Sequence, residues 1–502
     1  MKLNAILRAA VIPCAVSLSL VLAGCQVSRQ AGQGSDAQWG SATGPSSASG
    51  SSSTDQASDA VIPVVNDSHS DFDRLVKNAI ADVQAFWRTT YPEVSGGKPY
   101  PELSGGIYSV DGTHLTAAVQ RNACLRQDPS GASNNAFYCQ ADDSIVYDRN
   151  PQHLVAQLGA KYGDFMIAAV IAHEWGHAIQ QRLGVFESSP NRATIYTETQ
   201  ADCASGAFIA TAQKHRAPHF AITNQQLENT LLGYLQVRDP PPLSVQQISH
   251  GNGFDRLSAM ADGISNGASF CYAEKFFSRS FTERPFTSDV DYQQRGNLPY
   301  AEMIDPTPTT PDGSSLQIQL NSFWSAAAQS IKKPWQSVST RETDHPRCDS
   351  TNTTEFNYCP SGNYVYFSDQ EARQAYNSLP DKQQNPQTGQ LILIDNAPAD
   401  YSLGMLFVYG WAMAVRSQLF HASTQDRDAI LAASCYGGAF TASINTDDPS
   451  QGFALSPPDM DEATAAVIRV VPEPQAYGAH GTTALDRIQS FTKGYFGGLP
   501  SC

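Results

Sequence analysis

The property that most constrains the fold of this chain is that its second half repeats its first. Segments around residues 80–271 recur in the same order around residues 317–502, and such self-similarity means that one supersecondary unit has been used twice. Phe86-Trp87 is answered by Phe323-Trp324, each late in an apolar-periodic helix. Cys124 and Tyr138-Cys139 are answered by Cys348 and Tyr358-Cys359, each followed by a strand-like run, Ser144-Ile145-Val146-Tyr147 and Tyr364-Val365-Tyr366-Phe367. The apolar helix opened by Asp164 matches one opened by Asp400, with Trp175 falling on Trp411. Cys203 with Gly206-Ala207-Phe208 matches Cys435 with Gly438-Ala439-Phe440. Finally His250-Gly251, Asp255-Arg256 and Cys271 match His480-Gly481, Asp486-Arg487 and Cys502. The expected fold is α+β and mainly helical, a unit duplicated in tandem. Each copy has a leading helix, a short cysteine-clamped β-element, a core helix and a second helix packed on it.

The repeat leaves the N-terminus unaccounted for. Lys2 and Arg8 precede an apolar run from Ala9 to Val21, the length of a signal-peptide core and too short to span a bilayer comfortably. It ends in Leu22-Ala23-Gly24-Cys25, which resembles the bacterial lipobox, in which the cysteine carries the lipid and becomes the first mature residue. The plainer alternative is an ordinary secretory signal. From Gln26 to about Ala60 the chain is Ser, Gly, Ala and Gln with little to bury, a flexible tether spanning roughly 35 Å. Expected boundaries are a signal over 1–24, a lipid-anchored tether over 25–62, a first unit over 63–304, a Pro/Thr/Asp linker over 305–313 and a second unit over 314–502. No later run of 18 apolar residues occurs. The chain is therefore expected in the bacterial cell envelope, lipid-anchored to the membrane and facing the extracytoplasmic side.

Setting aside Cys14 and Cys25 leaves eight of the ten cysteines, four in equivalent places in each copy. An exported compartment permits disulfides. The economical pairing is one short and one long loop per copy: Cys124 with Cys139, Cys203 with Cys271, Cys348 with Cys359 and Cys435 with Cys502. The competing reading, a cysteine zinc site, lacks a C-x2-C pair.

The chemistry is concentrated in the first core helix, Ile171-Ala172-His173-Glu174-Trp175-Gly176-His177-Ala178-Ile179-Gln180. Residues at i and i+4 share a helix face, so His173 and His177 aim two imidazoles at one point with Glu174 beside them, as two-histidine zinc binding requires. The third ligand separates zinc-protease types. A metzincin would need Gly and His at positions 180 and 183, where this chain has Gln180 and Leu183. Downstream, Ser189-Pro190 reads as the start of a helix carrying Glu198 and Asp202 on one face. There the first carboxylate binds metal and the second orients a ligating imidazole.

HEWGHAIQ, then ETQADCASG, then an HG and DR segment resemble the bacterial family called putative neutral zinc metallopeptidase, over about residues 120–272. The resemblance implies a zincin-like unit that binds one Zn2+ through His173, His177 and Glu198, with Glu174 as acid/base and Asp202 as supporting carboxylate. Ala178 and Thr199 depart mildly from the family pattern without removing a ligand.

Opposite His173, Glu174, His177, Glu198 and Asp202, the second copy has Tyr409, Gly410, Met413, Ile430 and Ser434. It is a degenerate pseudo-peptidase copy that cannot bind zinc in this way. His250 has a counterpart in His480 and is assigned to scaffold on that ground; the alternative is a donor to the transition state. The expected function is hydrolysis of peptide bonds in a peptide or protein substrate, by a zinc-activated water with Glu174 as general base and acid. The alternative is a non-catalytic binding or assembly lipoprotein with a residual or structural zinc, whose second copy recognises a protein partner. With 32 basic and 48 acidic side chains, a formal charge of −16 and no run of Lys/Arg, nucleic acid is not an expected partner.

Overall fold

The computed structural model describes residues 57–502 except 189, 242–248, 308–314, 345–346, 349–350, 353–356, 386–389, 447–452 and 470–480. The expected signal, Cys25 and most of the tether and of the linker lie outside the described residues, as does His480. Among the described residues, no helix is long and apolar enough to cross a membrane. Packing onto the body already begins inside the expected tether: Ser58 O lies 3.1 Å from His219 Nε2, and the Ala60 N–H donates to Asn78 Oδ1 at 2.8 Å.

The first half opens with α1 (Asp71–Val94), capped by Ser70, whose side chain accepts from the Asp73 N–H. Val76, Ala79, Ile80, Val83 and Trp87 recur at three- and four-residue steps and are all buried, giving the helix one core face. Strands β1 (Gly106–Val110), β2 (Ala136–Cys139) and β3 (Ser144–Asp148) form a sheet in the order β1-β3-β2, with β3 parallel to β1 and antiparallel to β2. This leaves β2 as an edge strand. Helix α2 (Leu154–Tyr162) turns into α3 (Asp164–Arg182) at Gly163, whose φ of 98° strains any side chain. Helix α3 is buried on every face from Phe165 to Ala169 and from Ile171 to Gln180. It is the central rod of this half.

Helix α4 (Thr194–Gln213) packs on α3, followed by α5 (Asn224–Gln236), α6 (Gly253–Asn266) and the single turn α7 (Ala268–Cys271). Helix α4 starts later than Ser189-Pro190 suggests. The chain turns at Pro190 and Asn191, and Ala193 is still extended (φ −58°, ψ 141°), so helical hydrogen bonding begins at Thr194. Helices α4 and α6 touch backbone to backbone: a Cβ on Gly206 would sit 2.1 Å from Met260 O, and one on Gly263 1.8 Å from Cys203 O.

The second half contains α8 (Leu316–Ser330), β4 (Ser339–Glu342), β5 (Asn357–Cys359), β6 (Tyr364–Phe367), α9 (Asp369–Tyr376), β7 (Leu379–Gln384), β8 (Leu391–Ala397), α10 (Asp400–Phe420), α11 (Arg427–Ile444), α12 (Asp459–Arg469) and α13 (Ala484–Gly497). Its sheet runs β4-β6-β5, again one parallel pair and one antiparallel pair. Helices α11 and α13 cross on glycines as α4 and α6 do, with a Cβ on Gly438 2.0 Å from Phe491 O and one on Gly494 1.8 Å from Cys435 O. Disulfides join Cys124–Cys139, Cys203–Cys271, Cys348–Cys359 and Cys435–Cys502, the long pairs separated by 68 and 67 residues. The antiparallel hairpin β7–β8 stands between the sheet and the core helix of this half, where the first half has only α2.

The halves share one core. The main apolar cluster runs from Val76 through both core helices to Phe491, and Phe254 of α6 meets Phe491 of α13 edge-on at 5.6 Å. The Gly253 N–H donates to Asp461 Oδ1 at 2.6 Å, Arg238 Nε lies 2.8 Å from Asp461 Oδ2, and Gln236 donates to Ile394 O at 3.0 Å. These contacts seat α12 and the β7–β8 hairpin directly on the first half.

Candidate metal centre

Helix α3 carries His173 and His177 one turn apart, with Nε2 atoms 3.2 Å from each other. Helix α4 brings Glu198, whose Oε2 lies 3.3 Å from His173 Nε2 and 3.5 Å from His177 Nε2. The two helices approach closely because position 176 is glycine: a Cβ there would lie 2.8 Å from Ala201 Cα. All three side chains are buried, at 5%, 8% and 3% exposure.

The residues fit a zinc ion. Each imidazole uses Nδ1 elsewhere, His173 at 2.8 Å from Asp202 Oδ1 and His177 at 2.9 Å from Gln180 Oε1. Donation through Nδ1 leaves the Nε2 lone pairs facing one another. Glu198 Oε2 is buried with no hydrogen-bond partner, a costly arrangement unless a cation completes it. Two histidines and a glutamate are a catalytic zinc donor set. The local potential agrees: burial alone would push the His173 imidazole down, yet the carboxylates of Asp202, Glu198 and Glu174 hold it up at about 10. Glu198 is held well below the usual carboxylate range despite its burial, by the imidazoles of His177 and His250.

Glu174 stands beside the ligands. The Tyr138 N–H, on the outer edge of β2, donates to its Oε2 at 3.0 Å, and burial raises its carboxyl above the ordinary range. In front lies a cavity of about 80 Å3 whose lining includes His173, Glu174, Ala136, Tyr234, His250 and Lys382.

Residues 33–238 match the family model described as "Putative neutral zinc metallopeptidase". An uncharacterized protein of Mycobacterium tuberculosis, Rv2575, is 31% identical over 151 residues, 28% of this chain and 46% of its own length. The uncharacterized protein YpfJ of Escherichia coli is 37% identical over 82 residues, 14% of this chain and 28% of its own length. The chain thus spans less than half the length of these curated relatives. No solved structure matches the chain significantly. The zinc metallopeptidase match covers every ligand position and stops short of His250 and Arg256.

Both of those residues belong to the site all the same. Arg256 on α6 donates through Nε to Asp202 Oδ2 and through Nη2 to Asp202 Oδ1, each at 2.9 Å, so the residue that orients His173 is itself clamped. The second ligand has its own chain of support: Gln180 donates to Gln200 Oε1 at 3.1 Å, and Gln200 to Cys271 O at 2.9 Å, next to the Cys203–Cys271 bridge. His250 lies 2.9 Å from Asp239 Oδ1 through Nδ1 and lines the cavity. Burial opposes its charged form, but Glu198 and Asp239 outweigh that and raise it. Its assignment to scaffold therefore misses its position. The repeat pairs it with His480 but says nothing of Asp239, which is brought beside it only by folding.

Lys382 comes from β7 of the second half, and sequence reasoning did not find it. The repeat has no counterpart for the β7–β8 hairpin that carries it. Burial and the neighbouring Arg238 guanidinium press its ammonium down to about 8.

In the second half, α10 and α11 carry other residues at the positions that the sequence comparison sets against the site. Tyr409 OH and Ser434 Oγ hydrogen-bond at 2.6 Å between α10 and α11, where His173 and Asp202 meet in the first half. Arg487, opposite Arg256, turns to the backbone carbonyls of Val467 and Thr482 at 2.8 and 3.1 Å. Gly410, Met413 and Ile430 complete an apolar, buried junction.

Proposed function

We propose that this chain is a zinc-dependent metallopeptidase and that its second half is a degenerate copy of the first. The observation that carries the reading is Glu174. A structural zinc has no use for a buried carboxylate beside its ligands that is held by the Tyr138 N–H through one oxygen only, whereas hydrolysis needs a base there. His173, His177 and Glu198 are the residues that hold the ion. When bound, zinc supplies Lewis acidity to a peptide carbonyl and to a water.

The remaining chemistry belongs to the chain's own side chains. Glu174, raised by burial, takes a proton from the attacking water, and the carboxylic acid so formed returns it to the leaving amine as the C–N bond breaks. The Tyr138 N–H holds one carboxylate oxygen and leaves the other to work. His250, backed by Asp239, faces the cavity and, as the imidazolium, donates to the oxygen on which charge develops. The edge position of β2, with Ala136 on the cavity wall, supports an extended peptide as substrate, since such a chain can pair with the strand's outer backbone groups. Lys382 on the far wall places a positive charge for an acidic side chain or a free carboxylate of the substrate.

Duplication is supported by the matched sheets, the paired long disulfides and the two glycine crossings. In this account the second unit has lost its ligands and, by insertion of the hairpin, become part of the cavity wall of the first. The signal and lipobox support export and attachment to the cell envelope. Incubating the full chain with a degenerate peptide library, with and without a chelator, tests the reading. Chelator-sensitive cleavage supports it, whereas bound zinc without cleavage favours a binding lipoprotein.

A further inference from the structure

A second constellation of ligating side chains lies in the other half of the molecule, away from the histidines. Asp400, in the first turn of α10, and Asp459 and Glu462, in the first turn of α12, each contribute one carboxylate oxygen to a cluster whose atoms lie within 4.8 Å of one another. They are 2%, 3% and 0% exposed.

The oxygens divide into two sets. Asp400 Oδ2 accepts from the Leu298 N–H at 2.7 Å, Asp459 Oδ2 from the Ser456 N–H at 2.8 Å, and Glu462 Oε2 from the Tyr401 N–H at 2.8 Å. The second oxygen of each, Asp400 Oδ1, Asp459 Oδ1 and Glu462 Oε1, is buried with no hydrogen-bond partner. Backbone donors from three segments therefore fix three clustered carboxylates, each with one oxygen left without a hydrogen-bond donor. Buried polar atoms are nearly always satisfied; a shared proton can join Asp400 to Glu462, but it leaves Asp459 Oδ1 without a partner, whereas one cation satisfies all three.

We propose that Asp400, Asp459 and Glu462 form a structural site for a hard divalent cation of the calcium class. The donors are all carboxylate oxygens, with no nitrogen or sulfur, which favours calcium, magnesium or manganese over zinc or copper. Calcium is the first candidate because it takes carboxylate oxygens in flexible geometry at 2.3–2.6 Å, whereas magnesium demands a tight octahedron and keeps several waters. Asp291 is the nearest further carboxylate, its Oδ1 accepting from Ser456 Oγ at 2.7 Å. Without a cation, burial raises all three carboxyls, Asp400 to about 6, and the Asp400 charge adds to the rise at Asp459 and Glu462, so the bare cluster disfavours its own ionised form.

The position gives the site a purpose. Asp461, between Asp459 and Glu462, holds the Gly253 N–H at the start of α6 and Arg238 Nε, and α6 carries Arg256. A cation on one side of the first turn of α12 would brace the helix that seats the second half against the zinc-bearing half.

The test uses the full chain and inorganic ions. Calcium and zinc are counted per chain by elemental analysis after growth in calcium and after dialysis against EGTA, and melting temperature is followed as CaCl2 is restored. The expected result is one calcium beside the zinc-site metal and a rise of about 5 °C or more at saturating calcium. Glu462→Gln and Asp459→Asn are expected to lose the calcium and the shift while zinc content is unchanged. A parent chain that neither retains calcium nor responds to CaCl2, MgCl2 or MnCl2 overturns the proposal and leaves carboxyls sharing protons. A calcium shift equal in parent and variants overturns its placement at this triad. Should the variants fail to fold, the calcium count of the parent decides.

Discussion

Arg256 grips Asp202 with two nitrogens, each 2.9 Å from a different carboxylate oxygen, while Asp202 Oδ1 lies 2.8 Å from His173 Nδ1. The orientation of His173 thus depends on a helix that contributes none of the three clustered side chains His173, His177 and Glu198. Replacing Arg256 by Met leaves the buried Asp202 carboxylate without its guanidinium partner, at a cost of about 3–5 kcal/mol, and is expected to lower zinc affinity by roughly 10–100-fold. Denaturant unfolding and a competitive zinc chelator read the two effects.

The same pair has a defined pH dependence. Burial would raise Asp202, but Arg256 and His173 bring it below its ordinary value of 3.8. For a carboxyl whose folded pKa is depressed, stability is fully present above the unfolded value and lost as pH falls through the folded one. The melting-temperature gap between parent and Arg256→Met is expected to be constant above about pH 4 and to shrink below it. A gap that widens on acidification contradicts the assignment.

The Cys203–Cys271 bridge should be felt at the metal although no sulfur points at it, since Cys271 O holds Gln200, Gln200 holds Gln180, and Gln180 meets His177. The double variant Cys203→Ser, Cys271→Ser is expected to lose about 2–4 kcal/mol of stability and roughly 10-fold in zinc affinity. Unchanged zinc affinity in the folded variant counts against this route of support.

His250 separates catalysis from metal binding. It touches the cavity and Asp239 rather than completing the ligand set, so His250→Ala is expected to keep its zinc while kcat falls by about 100-fold with KM little changed. A variant that loses zinc, or one with only KM raised, assigns His250 to another role.

The helix crossings make a prediction about the repeat. A Cβ on Gly263 meets Cys203 O at 1.8 Å and one on Gly494 meets Cys435 O at 1.8 Å, so Gly263→Ala and Gly494→Ala should each destabilise by about 3 kcal/mol. Equivalent losses are what two copies of one crossing imply; tolerance of either change removes that equivalence.

What was legible in the sequence was local or periodic. His173, His177 and Glu174 announce themselves because helical spacing alone puts them on one face, and Glu198 with Asp202 repeats the same step. Apolar residues all along α3 gave its burial. Arg256 and His250 were visible as residues but not as participants, because Asp202 and Asp239 reach them only through the packing of α6 and the chain before it. Lys382 sits on a hairpin that has no matching segment in the first half, so matching the two halves gave no sign of its place on the cavity wall. The Asp400, Asp459 and Glu462 cluster escaped for a related reason: about 60 residues separate its members, and each alone reads as an acidic residue in the first turn of a helix.

The proposal stands or falls on whether His173, His177 and Glu198 hold a zinc ion and Glu174 beside them moves the proton of the attacking water. The most direct measurement pairs zinc content with peptide cleavage in the parent, Glu174→Gln and His177→Ala. The account predicts about one zinc per chain in the parent and in Glu174→Gln, cleavage reduced at least ~100-fold in Glu174→Gln, and both zinc and cleavage lost in His177→Ala. Parent protein free of zinc, or Glu174→Gln cleaving as well as the parent, contradicts it.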